Sequence, residues 1–319
     1  MHIKKNVALI LATVLISSLV VAIQVSSAFS GGSGTVPDPY LISTCTELQD
    51  MSSGLSLHYK LSGNIDCSAT ATWNGNTGFI PVGASATPFT GTFNGNNYTI
   101  SGFTIARTSS YAGLFGATSY ATISNTNMTG VSIVAGSGSP YVGGIAGYTN
   151  SSTITTSYVS GTVSGNYYIG LLVGMAQNGT ISKSRTAGTA TGAYMDVGGL
   201  AGLALNTTVS ETYSTANATG ADNVGSLLGA FSATGHILSN SFARGNAVAT
   251  GNGPDGHAGG LAGDASYGLV QNCYATGTAT GSQAAGLVSW ANTNDSSNPF
   301  SNTFWDTTTS ATATPIVGH

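Results

Sequence analysis

The stretch GGLAGLALNTTVSETYSTANATG at 198–220 returns as GGLAGDASYGLVQNCYATGTATG at 259–281. Repetition at so short a period restricts the fold more than any other feature, because a unit of that size buries a core only by stacking on its neighbours. Anchored on the glycine cluster, units begin at Ala112, Gly143, Gly170, Gly198, Gly225, Gly259 and Ala285, spaced 31, 27, 28, 27, 34 and 26 residues. An aliphatic residue recurs well inside each unit, as Ile123, Ile154, Ile181, Val209, Leu238 and Val270. Three positions on stands a small residue: Thr126, Ser157, Ser184, Thr212, Ser241 and Cys273. A larger side chain follows it directly, as Asn127, Tyr158, Arg185, Tyr213, Phe242 and Tyr274. Cys273 therefore fills a Ser/Thr slot and reads as a small packed residue rather than a reactive thiol.

Each unit offers three short segments: the GGLAG-type stretch, the aliphatic-to-aromatic stretch, and a glycine-bounded stretch such as Gly188–Gly192. Alternation over four to six residues is a strand signal, and β-branched residues and glycines disfavour helix throughout. Glycines at the segment ends are expected to supply corners with positive φ. The fold class is all-β: a right-handed parallel β-helix, or β-solenoid, of about 27-residue coils. Ahead of it, Thr44-Cys45-Thr46-Glu47 matches a capping box before Leu48 and Met51, which predicts a short capping helix over the first open edge. Cys45 and Cys67, 22 residues apart, are expected to form a disulfide in an oxidising compartment.

That compartment is read from the N-terminus. Lys4 and Lys5 precede an apolar run from Val7 to Ile23, followed by small residues at Ser26-Ser27-Ala28, the layout of a signal peptide. The other reading is an uncleaved anchor, the one case in which the chain itself meets a membrane. Both place the rest of the chain outside the cytoplasm, secreted or at the cell surface. The expected organisation is leader 1–30, cap and opening coils 31–111, repeat coils 112–306 and tail 307–319. From Gly31 onward five Lys and Arg face eleven Asp and Glu, so no basic surface exists for nucleic acid.

Several segments together resemble the GLUG-repeat proteins: PYLISTCTELQDM, LSGNIDC, FTGTFNGNNYTISGFTI, the repeated GGLAG with a following SY or CY, and a late NTFWD. The resemblance covers about residues 39–306. It implies an extracellular β-solenoid of the kind found in surface and adhesin-like proteins, some carrying an appended peptidase domain. No second domain and no hydrophobic C-terminal tail are read here after Trp305-Asp306.

Enzymatic motifs are sparse. No H-E-x-x-H, G-x-S-x-G or P-loop occurs, and the G-x-G-x-x-G at Gly251–Gly256 is interrupted by Pro254 and opens no helix. No cofactor is expected. One polar cluster in the longest unit, His236, Arg244, Asp255 and His257 with Asp264 beyond, supplies the residue types for acid–base work on a polysaccharide. A polar insertion is also what solvation alone would select. In the third segment, Thr162 and Ser164, Thr189 and Thr191, Asn217 and Thr219, and Thr278 and Thr280 point outward around inward Val163, Ala190, Ala218 and Ala279. Stacked coils would align these into two ladders, interrupted in the 225–258 unit. Ladders of threonine resemble the ice-binding faces of some antifreeze solenoids; threonine also simply suits strands. The leading expectation is a non-catalytic, adhesin-like solenoid whose partners are glycans or cell-surface components. A carbohydrate-active enzyme and an ice-binding protein are the alternatives.

Overall fold

The computed structural model describes residues 29–108, 110–136, 140–232, 234–253, 255–291 and 300–307. The leader reading and nearly all of the tail lie outside them. Among the described residues no helix is long and apolar enough to cross a membrane. They wind into four sheets of ten, thirteen, seven and seven strands, each strand pairing in parallel with its equivalents in neighbouring coils. Helical turns are confined to the segment 45–76.

A representative coil runs through Ile169–Gly170, Val173–Gln177, Thr180–Ser182 and Arg185–Gly192. The coil therefore has four strands, not the three segments read from the sequence. The difference lies in the GGLAG stretch, which ends one strand at Gly198, bends through Gly199 and Leu200, and opens the next at Ala201. The two short strands lie back to back because Gly202 has no side chain. A Cβ there would fall 2.5 Å from the Ile169 backbone nitrogen.

The aliphatic landmarks stack as one column. Tyr59, Phe93, Ile123, Ile154, Ile181, Val209, Leu238 and Val270 pair in unbroken register and are buried. The neighbouring columns of the core taper along the rod. Phe79, Phe89, Phe103 and Phe115 fill the opening coils, whereas Ala190, Ala218, Ala247 and Ala279 suffice further on. The register also moves one boundary: Ala112 pairs with Val142, so Gly113 lies level with Gly143.

Glycine takes positive φ at some of the expected positions, as at Gly161 and Gly188, but the sharpest corners are not its work. Between the ten- and thirteen-stranded sheets the left-handed position is held by Asn125, Thr156, Lys183, Glu211, Asn240, Asn272 and Asn302, with φ between 49° and 53°. The small residue one place later holds this bend. Ser157, Ser184 and Ser241 each donate a hydroxyl to the carbonyl two residues back, at 2.9, 2.8 and 2.7 Å. The same hydroxyls accept backbone N–H groups from the preceding coil, as Ser184 Oγ does from Ser157 at 3.2 Å. An orphaned backbone donor is thereby satisfied inside the core. Cys273 occupies this slot with its Sγ 3.2 Å from the Gln271 carbonyl, and burial pushes its thiol up to about 11. It is a packing residue.

At the N-terminal end Thr44 and Glu47 form the expected reciprocal capping box on the helix Cys45–Asp50. Cys45 and Cys67 are bonded across a Cα–Cα distance of 5.4 Å, fastening the helix to the first coil. Replacing both with serine is expected to destabilise the cap by about 3 kcal/mol, the loop-closure entropy of a bridge of this span. Urea unfolding monitored at the cap, for instance through Trp73, reads this directly, and an unchanged midpoint would contradict it.

Candidate functional site

The outer surface of the thirteen-stranded sheet carries the hydroxyl residues. Tyr158–Gly165 and Arg185–Gly192 pair residue for residue, setting Thr162 beside Thr189 and Ser164 beside Thr191, with Val163 and Ala190 inward and buried. Asn217 and Thr219 continue the two columns on the next coil. Ala218, Ala247 and Ala279 then pair in turn, which brings Asn246 and Thr278 onto the first column and Val248 and Thr280 onto the second. Asn217 Oδ1 accepts the Asn246 amide at 2.9 Å, and Asn246 Oδ1 accepts that of Thr278 at 3.0 Å. The first column is thus unbroken from Thr104 and Ser132 through Thr162, Thr189, Asn217 and Asn246 to Thr278. The second alternates in character: Ala106, Val134, Ser164, Thr191, Thr219, Val248, Thr280. Asn246 was not read from the sequence because the insertion after Gly245 hides its alignment.

The polar cluster of the longest coil is dispersed. His236 sits at the start of the ten-stranded sheet, its Nδ1 3.4 Å from the Thr208 hydroxyl. Arg244 lies on the thirteen-stranded sheet, 5.1 Å over the Phe242 ring and 3.3 Å from the Tyr274 hydroxyl. His257 sits elsewhere, on a seven-stranded sheet, where its Nδ1 is 2.8 Å from Asp222 Oδ1 and its ring meets Trp290 edge-on at 5.4 Å. Asp264 accepts the Ser266 hydroxyl at 2.6 Å beside this pair.

Asp196 and Asp222, not singled out from the sequence, join His257 and Asp264 by register. Burial, together with Asp264 and Asp222 nearby, pushes the Asp196 carboxyl up to about 6, against the lowering effect of a 2.9 Å hydrogen bond from Asn223 Nδ2. Burial also raises Asp264. Burial works on Asp222 too, but the N–H groups of His257 and Gly256 and the His257 ring outweigh it and hold this carboxyl below the usual range. Among the described residues no three His, Cys, Asp or Glu side chains are grouped to hold a metal ion.

Asp222 has a mechanical role as well. Its bonds to Gly256 and His257 pin the end of the 245–256 insertion. Ser282 holds the middle, donating toward the carbonyls of Gly253 and Asp255 at 3.0 and 2.9 Å. The pinned loop walls a cleft of about 340 Å³ lined by Tyr167, Tyr194, Met195, Ala221, Asp222, Gly251, Asn252 and Asp255. Tyr167 and Tyr194, one coil apart, stack at 4.6 Å and 13°, and Tyr194 is 49% exposed. Of these residues the sequence singles out Asp255 as a candidate, and Gly251 only as the start of a discarded glycine motif.

Comparison with known proteins fits this architecture. The family model of the GLUG motif matches residues 255–280. A stretch of 132 residues is 37% identical to halomucin from Haloquadratum walsbyi, covering 39% of this chain and 1% of that protein. Another of 126 residues is 38% identical to a candidate Gly-rich membrane protein of Evansella cellulosilytica, covering 38% of this chain and 14% of that one. The chain thus spans a small part of these relatives. The crystal structure of a candidate immunoglobulin A1 protease from Bacteroides ovatus superposes with a TM-score of 0.58 over 91% of this chain and 80% of that one. At 20% identity this likeness shows a shared fold. The chain is a parallel β-solenoid, and one of its coils, at residues 255–280, matches the GLUG motif.

Proposed function

We propose that the chain is an exported binding rod that attaches to glycan-bearing surfaces through its hydroxyl face, without turning its ligand over. The observation that carries this reading is the first column, seven hydroxyl or amide side chains in register from Thr104 to Thr278. Side chains that both donate and accept, on a rigid ladder spaced about 4.8 Å apart, match the hydroxyl-rich surface of a polysaccharide. Asn217 and Asn246 in one column, and Val134 and Val248 in the other, favour sugars over an ice lattice, which asks for a uniform array. The dispersal of His236 and Arg244 from Asp255 supports binding rather than acid–base cleavage. The names of the relatives, a halomucin and a membrane protein, support a place outside the cytoplasm.

The test compares the purified exported chain with a Thr162→Tyr, Thr189→Tyr double variant on glycan-coated and whole-cell surfaces. Two bulky rings at the centre of the face are expected to lower retention about tenfold, as disruption of an interface centre does, while melting is unchanged. Wild-type chain that is not retained, or a variant retained equally well, would overturn the reading.

A further inference from the structure

The corner cleft has chemistry that the hydroxyl face lacks. Its lining joins apolar groups, Tyr167, Tyr194, Met195 and Ala221, with polar ones, Asp222, Asn252 and Asp255. The Tyr167 ring, also in the lining, stacks nearly parallel to that of Tyr194, fixing the plane of the exposed ring before any ligand arrives. The loop that brings Asn252 and Asp255 to the cleft is pinned at two places, by Asp222 and by Ser282. The cleft is therefore preformed, and its volume lies in the lower part of the range for small-molecule sites, about 300–1,000 Å³.

We infer that this cleft is a carbohydrate subsite for a neutral pyranose, with the sugar's C–H face on Tyr194 and its hydroxyls donated to Asp255, Asp222 and Asn252. A rigid aromatic platform facing hydrogen-bond acceptors is what a pyranose needs, since its ring is apolar on one face and hydroxylated at its rim. Carboxylates are strong acceptors for vicinal hydroxyls. No Lys or Arg lines the cleft, so uronic, sialylated and sulfated sugars would meet carboxylates and no counter-charge. The inference rests on the glycan-binding reading and adds a residue-level address and a ligand class to it.

Calorimetric titration of the full exported chain with neutral gluco-, manno- and galacto-tetrasaccharides tests the assignment, with a galacturonate oligomer and a glucosamine oligomer as charged comparisons. At least one neutral tetrasaccharide is expected to bind. Tyr194→Ala should weaken it about tenfold or more, the loss of a stacking platform. Asp255→Asn should weaken it less, and both variants should melt as the wild type does because the two side chains are exposed. Val36→Ser, at an exposed position outside both the cleft and the hydroxyl face, should leave tetrasaccharide affinity unchanged. Binding that survives Tyr194→Ala, stronger binding of a charged oligomer, or no binding of any neutral sugar would overturn the assignment. Tetrasaccharide binding without retention on any surface would instead sink the hydroxyl-face reading and leave the cleft standing.

Discussion

Gly198→Ala is expected to destabilise the rod by about 3 kcal/mol or more, at the upper end of what overpacking costs, because its new methyl meets backbone rather than side chain. A Cβ at Gly198 would fall 1.9 Å from the Ala201 carbonyl oxygen and 2.6 Å from the Gly229 nitrogen. Neither atom can swing away as a side-chain tip would. The same collision recurs at Gly170, Gly225 and Gly259, 2.3, 1.9 and 1.8 Å from the carbonyl three residues on. These glycines let two strands of one coil lie back to back, so the substitution should separate the strands and uncouple the coils on either side. Alanine does stand at the equivalent position in the last described coil, where Ala285 pairs with Gly259. That strand is the outermost of its sheet, and its backbone has room to shift. Thermal unfolding should therefore show a large fall for Gly198→Ala and little change for Ala285→Gly. Equal, small effects at both positions would show that the interior backbone yields.

Asp196→Asn is expected to stabilise the protein at pH 8 by about 2 kcal/mol and to leave it nearly unchanged at pH 4. The side chain is 6% exposed, and its carboxyl titrates near 6 in the folded protein against an ordinary value of 3.8. A raised folded value means that the folded state favours the protonated form. Its contribution is full below 3.8 and is lost as pH rises through about 6, so at pH 8 the buried ionised carboxylate opposes folding. Asparagine removes that charge. Its amide oxygen still accepts the Asn223 hydrogen bond, and it tolerates the φ of 61° at this position. Asp222 titrates in the opposite sense and is left in place: its carboxylate stabilises above the unfolded value, and that support fades as pH falls. Melting curves across pH 4–8 decide the matter. A gain that is equal at both ends would assign the effect to backbone preference, and a loss at pH 8 would mean that the carboxylate is needed.

What the sequence made legible was whatever repeats with the coil. Ile154, Ile181 and Val209 reveal the core column, and Ser157, Ser184 and Cys273 reveal their shared slot, because a constant period sets equivalent residues on one line. The capping box at Thr44 and Glu47 is equally local. The corners escaped because their cause is not local. Thr156, Lys183 and Glu211 take a left-handed conformation that they do not favour alone, held by strand pairing on both sides and by the buried hydroxyl that follows. Glycine was the natural expectation and holds at Gly161 and Gly188, but at the GGLAG stretch the glycines are used where two backbones touch. The cleft was hidden for a related reason. Tyr167 and Tyr194 look like scattered aromatics until one turn of the coil stacks them, and Asp222 reaches Gly256 across 34 residues only through strand register. The insertion at 245–256 broke the period that would have revealed both Asn246 and the loop's attachment.

Retention of the intact chain on an immobilised neutral polysaccharide, with released reducing ends assayed in the same sample, decides between binding and turnover. Saturable retention with no release of sugar is the expected result. Release of oligosaccharides during retention, or no retention at all, would contradict a rod built to bind without turnover.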